Sequence, residues 1–300
     1  MDLKNSKAPM PSFVWLPDES SCATVLDFLC LKFPRIERKI WIKRIQEGKV
    51  SYEDNSTISL QTPYTRSRRL KYFREVENEV AVPFQEKILF ENEEIIIVDK
   101  PHFLPIHPAG KFVNETLISR LKVKYDLPEL AICHRLDRLT AGIVLATKQK
   151  KFRGLYQNLF MNRKIHKTYL AIGSKPHNNE TEWHVRNHLA PYLKHFRMTV
   201  KESEEVNSES HIKLLESKNQ IALFQLTPAT GKKHQLRVHM TCIGSRILND
   251  PLYPEFEEIP QKDDYSKPLQ LLAKQLRFVD PVSKQEVCFI SQQNLNLPQA

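Results

Sequence analysis

The polar heptapeptide His134-Arg135-Leu136-Asp137-Arg138-Leu139-Thr140 runs directly into the apolar stretch Ala141-Gly142-Ile143-Val144-Leu145-Ala146-Thr147. A short apolar run of this kind reads as a strand. The junction therefore sets one carboxylate, Asp137, between two arginines at the mouth of a strand. Opposite charges nearby favour the charged form of a carboxylate. That suits a nucleophile or a base, and it suits an anionic substrate arriving beside it.

Around this junction the pattern mixes short strands and helices. Val25, Leu26, Leu29 and Phe33 recur at helical spacing, with Ser20 or Ser21 as the expected cap and Pro34 as the stop. Ile36, Ile40, Trp41 and Ile45 mark a second helix, closed at Gly48. Lys49 to Tyr52 reads as a strand, and the charged stretch Arg74 to Glu79 reads as a linker ending at Pro83. From Lys87 onward come β-rich runs at Ile88-Leu89-Phe90 and Ile95 to Val98, the latter broken by Asp99-Lys100-Pro101. Leu104 to Gly110 reads as an extended loop. Helices are expected over Thr116–Val123 and near 149–162, and strands over Ile165–Ile172 and Leu269–Phe278. No regular βαβ rhythm appears. The expected class is α+β, with a mixed, largely antiparallel sheet, flanking helices and a small N-terminal α+β module over residues 1–80.

Lys and Arg outnumber Asp and Glu by 45 to 35, a net charge of +10. Residues 35–74 hold eleven Lys/Arg against four Asp/Glu, so +7 lies in forty residues. A basic balance points to a polyanion partner. The same segment interleaves Trp41, Tyr52, Tyr64, Tyr72 and Phe73, a composition suited to phosphates and stacked bases of RNA. Two acidic stretches, Glu202–Glu209 and Glu255–Asp264, read as surface loops facing away from such a partner. The five cysteines are scattered without a CxxC pair, which argues against a disulfide framework or a zinc site. His234 and His239 are five apart, so no metal site is expected. No signal peptide or membrane-length apolar run is seen, and an intracellular, cytoplasmic chain is expected.

With seven glycines and neither GxGxxG, Walker-type loop nor GxSxG elbow, the common nucleotide-cofactor and serine-hydrolase readings fall away. Three segments are left to converge on Asp137. In Lys167-Thr168-Tyr169 a strand would put Lys167 and Tyr169 on one face, with a ring able to stack and a hydroxyl able to move a proton. In Thr230 to Met240, Leu236, Met240 and Ile243 recur as on a helix with a glycine stop at Gly244. Arg237 near its start could pair with Asp137. In Leu269 to Phe278, Leu271 could floor a cleft.

The blocks Val98-Asp99-Lys100-Pro101, His134 to Gly142, Lys167 to Ala171, Thr230 to His239 and Asn249-Asp250-Pro251-Leu252-Tyr253 together resemble, in order and spacing, the RluA-type pseudouridine synthases. The likeness covers roughly residues 87–290, within a catalytic domain taken as 87–300. Lys43 to Val50 also resembles, more loosely, the helix-to-strand joint of the S-four-like RNA-binding module. The resemblance implies isomerisation of uridine to pseudouridine in rRNA or tRNA, with Asp137 as catalytic aspartate and Tyr169 against the target base. It further implies Arg237 as partner of Asp137, and Arg135 at the RNA backbone or in the gap left by a flipped base. It implies no cofactor and no metal; a monomer is expected. Leu139 stands where many members carry an acidic residue, and Leu272 where many carry histidine. A non-catalytic RNA-binding protein and an RNA glycosidase are the alternatives. The second lacks a carboxylate placed to activate water.

Overall fold

The computed structural model describes residues 2–192, 196–202, 204–255 and 262–297. The chain divides into two compact units, residues 1–81 with 108–115, and residues 82–107 with 116–300.

The first unit contains β1 (Asp2–Lys7), β2 (Ser12–Trp15), α1 (Val25–Lys32), α2 (Arg38–Gln46), β3 (Val50–Tyr52), β4 (Arg69–Tyr72) and β5 (Glu75–Val80). Strands β2-β4-β3 form an antiparallel sheet. The cap of α1 is Thr24 rather than Ser20 or Ser21. Thr24 is the last extended residue, and its hydroxyl accepts the Asp27 N–H at 3.1 Å. The stretch expected as a linker is instead β5, paired antiparallel with β1. Its charge is accommodated locally: the buried Glu79 carboxylate accepts the N–H groups of Val113, Asn114 and Glu115 at 2.6, 2.8 and 2.8 Å. Those three amides belong to the 108–115 segment, which joins this unit although it is remote in sequence.

The aromatic residues of this unit mostly do not form a stacking surface. Trp41, Tyr52 and Tyr72 are buried in the core with Leu29, Val50 and Leu70, and the rings of Trp41, Phe33 and Tyr72 meet at 5.5–5.6 Å. A module this small has few other large side chains with which to fill a core, so its rings go inward. The cations lie over them from outside, Arg68 at 3.3 Å from the Tyr52 ring centre. The aromatic residues left in solvent are Phe13 and Trp15 on β2.

The second unit contains β6 (Lys87–Glu91), β7 (Ile95–Lys100), α3 (Leu117–Lys124), β8 (Ala131–Ile132), β9 (Ala141–Thr147), α4 (Arg153–Met161), β10 (His166–Ser174), β11 (Glu182–Pro191), β12 (Met198–Lys201), β13 (Ser208–Lys218), β14 (Ile221–Pro228), α5 (Gln235–Cys242), β15 (Leu271–Val279) and β16 (Glu286–Ile290). The sheet has eleven strands in the order β12-β11-β13-β14-β10-β15-β9-β7-β6, with β16 on β15 and β8 on β9. Every pairing is antiparallel except β15 with β9. Strands β7 and β9 are buried at every position, which is why they read as continuous apolar runs without alternation. Helix α4 seals one side through Tyr156 and Leu159 against Ile95, Ile97, Ile143 and Leu145. Helix α5 packs Leu236 and Met240 against Ala171, Phe224 and Leu226.

Asp99 and Lys100 do not break β7; they are its last two residues. Asp99 is buried because Ser291 Oγ, Gln292 N–H and Gln293 Nε2 all donate to it, at 2.6–2.9 Å. Among the described residues no helix is long and apolar enough to cross a membrane.

Candidate active site

The loop that carries Asp137 is held by its own carbonyls. The Thr140 N–H donates to the Asp137 carbonyl at 3.0 Å. The ammonium of Lys100, wholly buried, donates to the carbonyls of Arg138, Pro101 and Leu104 at 3.2, 2.9 and 2.9 Å. His102 Nδ1 lies 2.6 Å from the Leu139 carbonyl, so Nδ1 carries the proton. All three carbonyls from 137 to 139 are thus engaged, which fixes the main chain under Asp137. Burial pulls Lys100 down to about 7, with the charge of Asp137 acting in the opposite direction. Desolvation brings His102 to about 4 and His134 to about 3. His134 is a pin of the fold: it stacks on Phe160 and its Nε2 accepts the Leu145 N–H at 3.1 Å.

Gly142 follows where β9 meets β15. Its φ is +112°, and a Cβ there would lie 2.2 Å from the Ala273 carbonyl oxygen. Only glycine allows the parallel contact that aims the Asp137 loop over β15.

The carboxylate of Asp137 is met from α5. Arg237 Nη1 stands 3.6 Å from Asp137 Oδ2, and His234 Nε2 stands 3.9 Å from the same oxygen. Arg237 is itself clamped by Asp250, Nε to Oδ2 at 2.7 Å and Nη2 to Oδ1 at 2.5 Å. Asp250 also accepts the Leu252 N–H at 2.8 Å. Desolvation works against the Arg237 charge, but the bonds to Asp250 outweigh it and raise the guanidinium above its ordinary value. Arg237 is therefore a fixed cation with two nitrogens committed and the third facing Asp137. His234 is driven down to about 4 by desolvation and stays neutral. Its Nδ1 lies 2.8 Å from the Tyr253 hydroxyl, whose oxygen accepts the Met198 N–H at 2.7 Å. The phenol proton is then available to Nδ1, an arrangement that favours the Nε2–H tautomer facing Asp137.

Tyr169 lies half-buried on β10, at an irregularity in the β10–β15 register between Thr168 and Tyr169. Desolvation, then the charge of Asp137, raise its phenol well above the ordinary value. Its hydroxyl keeps its proton, so of the two uses expected from sequence, stacking and proton transfer, only the ring and a donated hydrogen bond are available at neutral pH. Lys167 Nζ donates to the Thr230 carbonyl at 2.9 Å, and desolvation lowers it to about 8.

Asp137, Tyr169, Arg237, Arg135 and Leu271 all line one cavity of about 90 Å³, together with Lys167, His234 and Gln235. Leu271 is buried in the same cluster that Tyr169 packs against. Arg135 is exposed at the rim. Arg138, the other flanking arginine, is taken by Asp263 in a two-pronged pair at 2.7 and 2.9 Å. This corrects the reading of the second acidic stretch as facing away. Residues 256–261 lie outside the described residues, but Asp263 meets the side chain next to Asp137. The first stretch is corrected too: Ser208 and Glu209 begin β13. The Glu209 main chain braces the cleft loop, its N–H donating to Thr230 Oγ1 at 3.0 Å and its carbonyl accepting from Gln235 Nε2 at 2.9 Å. Leu139 and Leu272, the departures from the family pattern, are apolar packing positions.

Sequence reasoning gave no role to Asp250, Tyr253, Lys100 or His102. Asp250, Tyr253 and Lys100 lie in blocks that resemble the family, and a buried arginine demands a carboxylate, but nothing in the spacing says which one.

A single carboxylate faced by a clamped arginine, over an apolar floor with one half-buried ring, makes a pocket suited to one small planar group. Residues 94–241 match the family model described as RNA pseudouridylate synthase. An uncharacterized RNA pseudouridine synthase from Synechocystis is 28% identical over 76% of this chain and 79% of its own length. The tRNA pseudouridine(31) synthase of Saccharomyces cerevisiae is 29% identical over 55% of this chain, which spans 46% of that protein. Among solved structures, Human RNA Pseudouridylate Synthase Domain Containing 4 is similar with a TM-score of 0.54 and 25% identity, covering 71% of this chain and 88% of that one. The chain belongs to the RluA-type RNA pseudouridine synthases, enzymes that isomerise uridine in RNA.

Proposed function

We propose that Asp137 is the catalytic carboxylate, and that the target uridine is extruded from its helix or loop into the cavity beneath it. The observation that carries this reading is Arg237, fixed by Asp250 and aimed at Asp137 from the wall of the cavity that Tyr169 and Leu271 line. In the reaction the bond from uracil N1 to the sugar C1′ breaks and a bond from C5 to C1′ forms. The C5 proton is lost and N1 gains one, so nothing is oxidised or hydrolysed and the chemistry requires neither cofactor nor metal. Asp137 acts on the sugar or the base as nucleophile or base. Tyr169 supports the ring, Arg237 holds the Asp137 rotamer, and Leu271 and Leu136 keep water from the detached base. Arg135 at the rim meets the RNA backbone or fills the space the base leaves.

The substrate is rRNA or tRNA, and the name of the yeast relative favours tRNA. The protein acts as a cytoplasmic monomer. Its N-terminal unit, S-four-like at the helix-to-strand joint, adds affinity rather than chemistry. Purified protein incubated with tRNA and rRNA transcripts should convert defined uridines to pseudouridine, read by nucleoside mass spectrometry with every base retained. Asp137→Asn should lose activity by at least about 10³-fold, the scale on which a general acid–base or nucleophilic group contributes, while RNA affinity changes little. Substantial turnover by that variant, or abasic product, would overturn the assignment. Mapping pseudouridines in cells lacking the protein identifies the site.

A further inference from the structure

We propose that His184, Glu209 and His211 form a site for a transition-metal dication of the Zn²⁺ type, on the polar face of the sheet and separate from the Asp137 cavity. His184 on β11 and His211 on β13 are direct register partners, so both side chains leave the same face at the short cross-strand spacing. Their rings stack with centres 4.0 Å apart and planes 13° from parallel. Glu209, two residues before His211, shares that face, and its Oε1 lies 2.8 Å from His184 Nε2. One ligand atom from each of the three residues lies within 4.8 Å of the others.

Borderline dications take imidazole nitrogen and carboxylate oxygen at about 2.0–2.2 Å, which puts neighbouring ligand atoms roughly 3.3–3.5 Å apart in a tetrahedron. Both histidines are exposed, so small side-chain rotations close the remaining gap. The competing charges are weakly placed or occupied. Arg186 Nε reaches Glu209 Oε2 only at 4.0 Å, and Lys213 is paired with Glu182 at 2.7 Å. His184 and His211 line an open cavity of about 380 Å³, which leaves a fourth position for water. Bound there, a dication clamps β11 to β13 at Glu209, the residue whose main chain braces Thr230 and Gln235 in the cleft. Positions 184, 209 and 211 come together only through strand pairing, so no spacing motif announces them.

Isothermal titration of the full-length protein with ZnCl₂ at neutral pH tests the site. One equivalent should bind, each of His184→Ala and His211→Ala should weaken it by roughly tenfold or more, and the double variant should abolish it. Because Cys242 and Cys288 are exposed thiols, a Cys242→Ser/Cys288→Ser variant is run in parallel and should bind as the parent does. Zinc should also raise the melting temperature of the parent and not that of the double-histidine variant. The proposal is overturned by no binding at 100-fold excess, by unchanged binding in the double-histidine variant, or by loss of binding in the cysteine variant. The histidine variants must melt like the metal-free parent. If they do not, the imidazole signals of His184 and His211 in the intact protein decide: a zinc-dependent shift supports the site, and its absence refutes it.

Discussion

The two units use cations and rings in opposite ways. In the N-terminal unit Trp41, Tyr52 and Tyr72 are core, and the arginines lie outside them or pair with nearby acids such as Glu53, Asp54 and Glu75. In the catalytic unit the charged residues themselves go inside: Asp99, Lys100, Arg237 and Asp250 are all buried, each with specific hydrogen-bond partners. Burying a charge is costly unless it is paired. The molecule accepts that cost around the Asp137 loop and its supports, and also at separate, hydrogen-bonded carboxylates such as Glu79 in the first unit and Asp280 in the second. A dense run of Lys, Arg and aromatic residues thus marks a folded module with a charged exterior, whereas sparse charges inside apolar strands mark the chemistry.

Acid should separate the two units most. All eleven histidines lie between residues 102 and 239, outside the first unit. Desolvation depresses His234 and His239 to about 4, His102 to about 4 and His134 to about 3. The folded form therefore binds fewer protons than the unfolded form between pH 6.5 and about 4. Their stabilising contribution is complete above pH 6.5 and is lost as pH falls through that window. At about 1.4 kcal/mol per unit of depression, the catalytic unit should lose several kcal/mol by pH 4.5. Hydrogen-exchange mass spectrometry from pH 7 to 4 should show protection falling in the catalytic unit first. Simultaneous loss in both units would break the comparison.

Trp41→Ala should destabilise the N-terminal unit by about 3–5 kcal/mol, as large aromatic deletions in a core do. Denaturant melts combined with RNA binding read this out. A variant that folds normally but binds RNA poorly would mean that the ring faces the partner after all.

Lys100→Met keeps the bulk of the side chain but removes three donors from the Asp137 loop. Displacing a catalytic group slightly costs up to about 10²-fold. The expected loss is about 10- to 100-fold in kcat, with KM for RNA little changed. An equal rise in KM would assign Lys100 to substrate binding instead.

The smallest effect belongs to the basic exterior. Arg35 and Arg66 have no acidic partner among the ion pairs of the described residues. If the first unit holds RNA phosphates through them, Arg35→Gln/Arg66→Gln should reduce the slope of log affinity against log salt by about 0.7–0.9 per lost contact. An unchanged slope would show that this face is solvated surface.

The helices of both units, the strands Ile95–Lys100 and Ala141–Thr147, and Asp137 at the head of the second were legible from period and motif, because those signals are local. The Ser20 or Ser21 cap, the linker at Arg74–Glu79 and the break at Asp99 misled for one common reason. Each polar residue was read by its propensity alone, and in the fold a particular partner overrides that propensity: Asp27 for Thr24, the 113–115 amides for Glu79, and Ser291 with Gln293 for Asp99. The family resemblance brought Tyr169 and Arg237 to Asp137 in order, but not the clamp that makes Arg237 rigid.

By itself the sequence determined where the helices run, which strand follows the lone carboxylate and which loop carries it, and that a net charge of +7 lies within residues 35–74. Tertiary structure alone decided that Trp41 faces inward, that Asp250 holds Arg237, that Asp263 holds Arg138, and that His184, Glu209 and His211 share one face. Period and propensity act over a few residues along the chain. Burial, charge pairing and strand register act across the sheet, between positions whose separation in sequence carries no information about their distance in space.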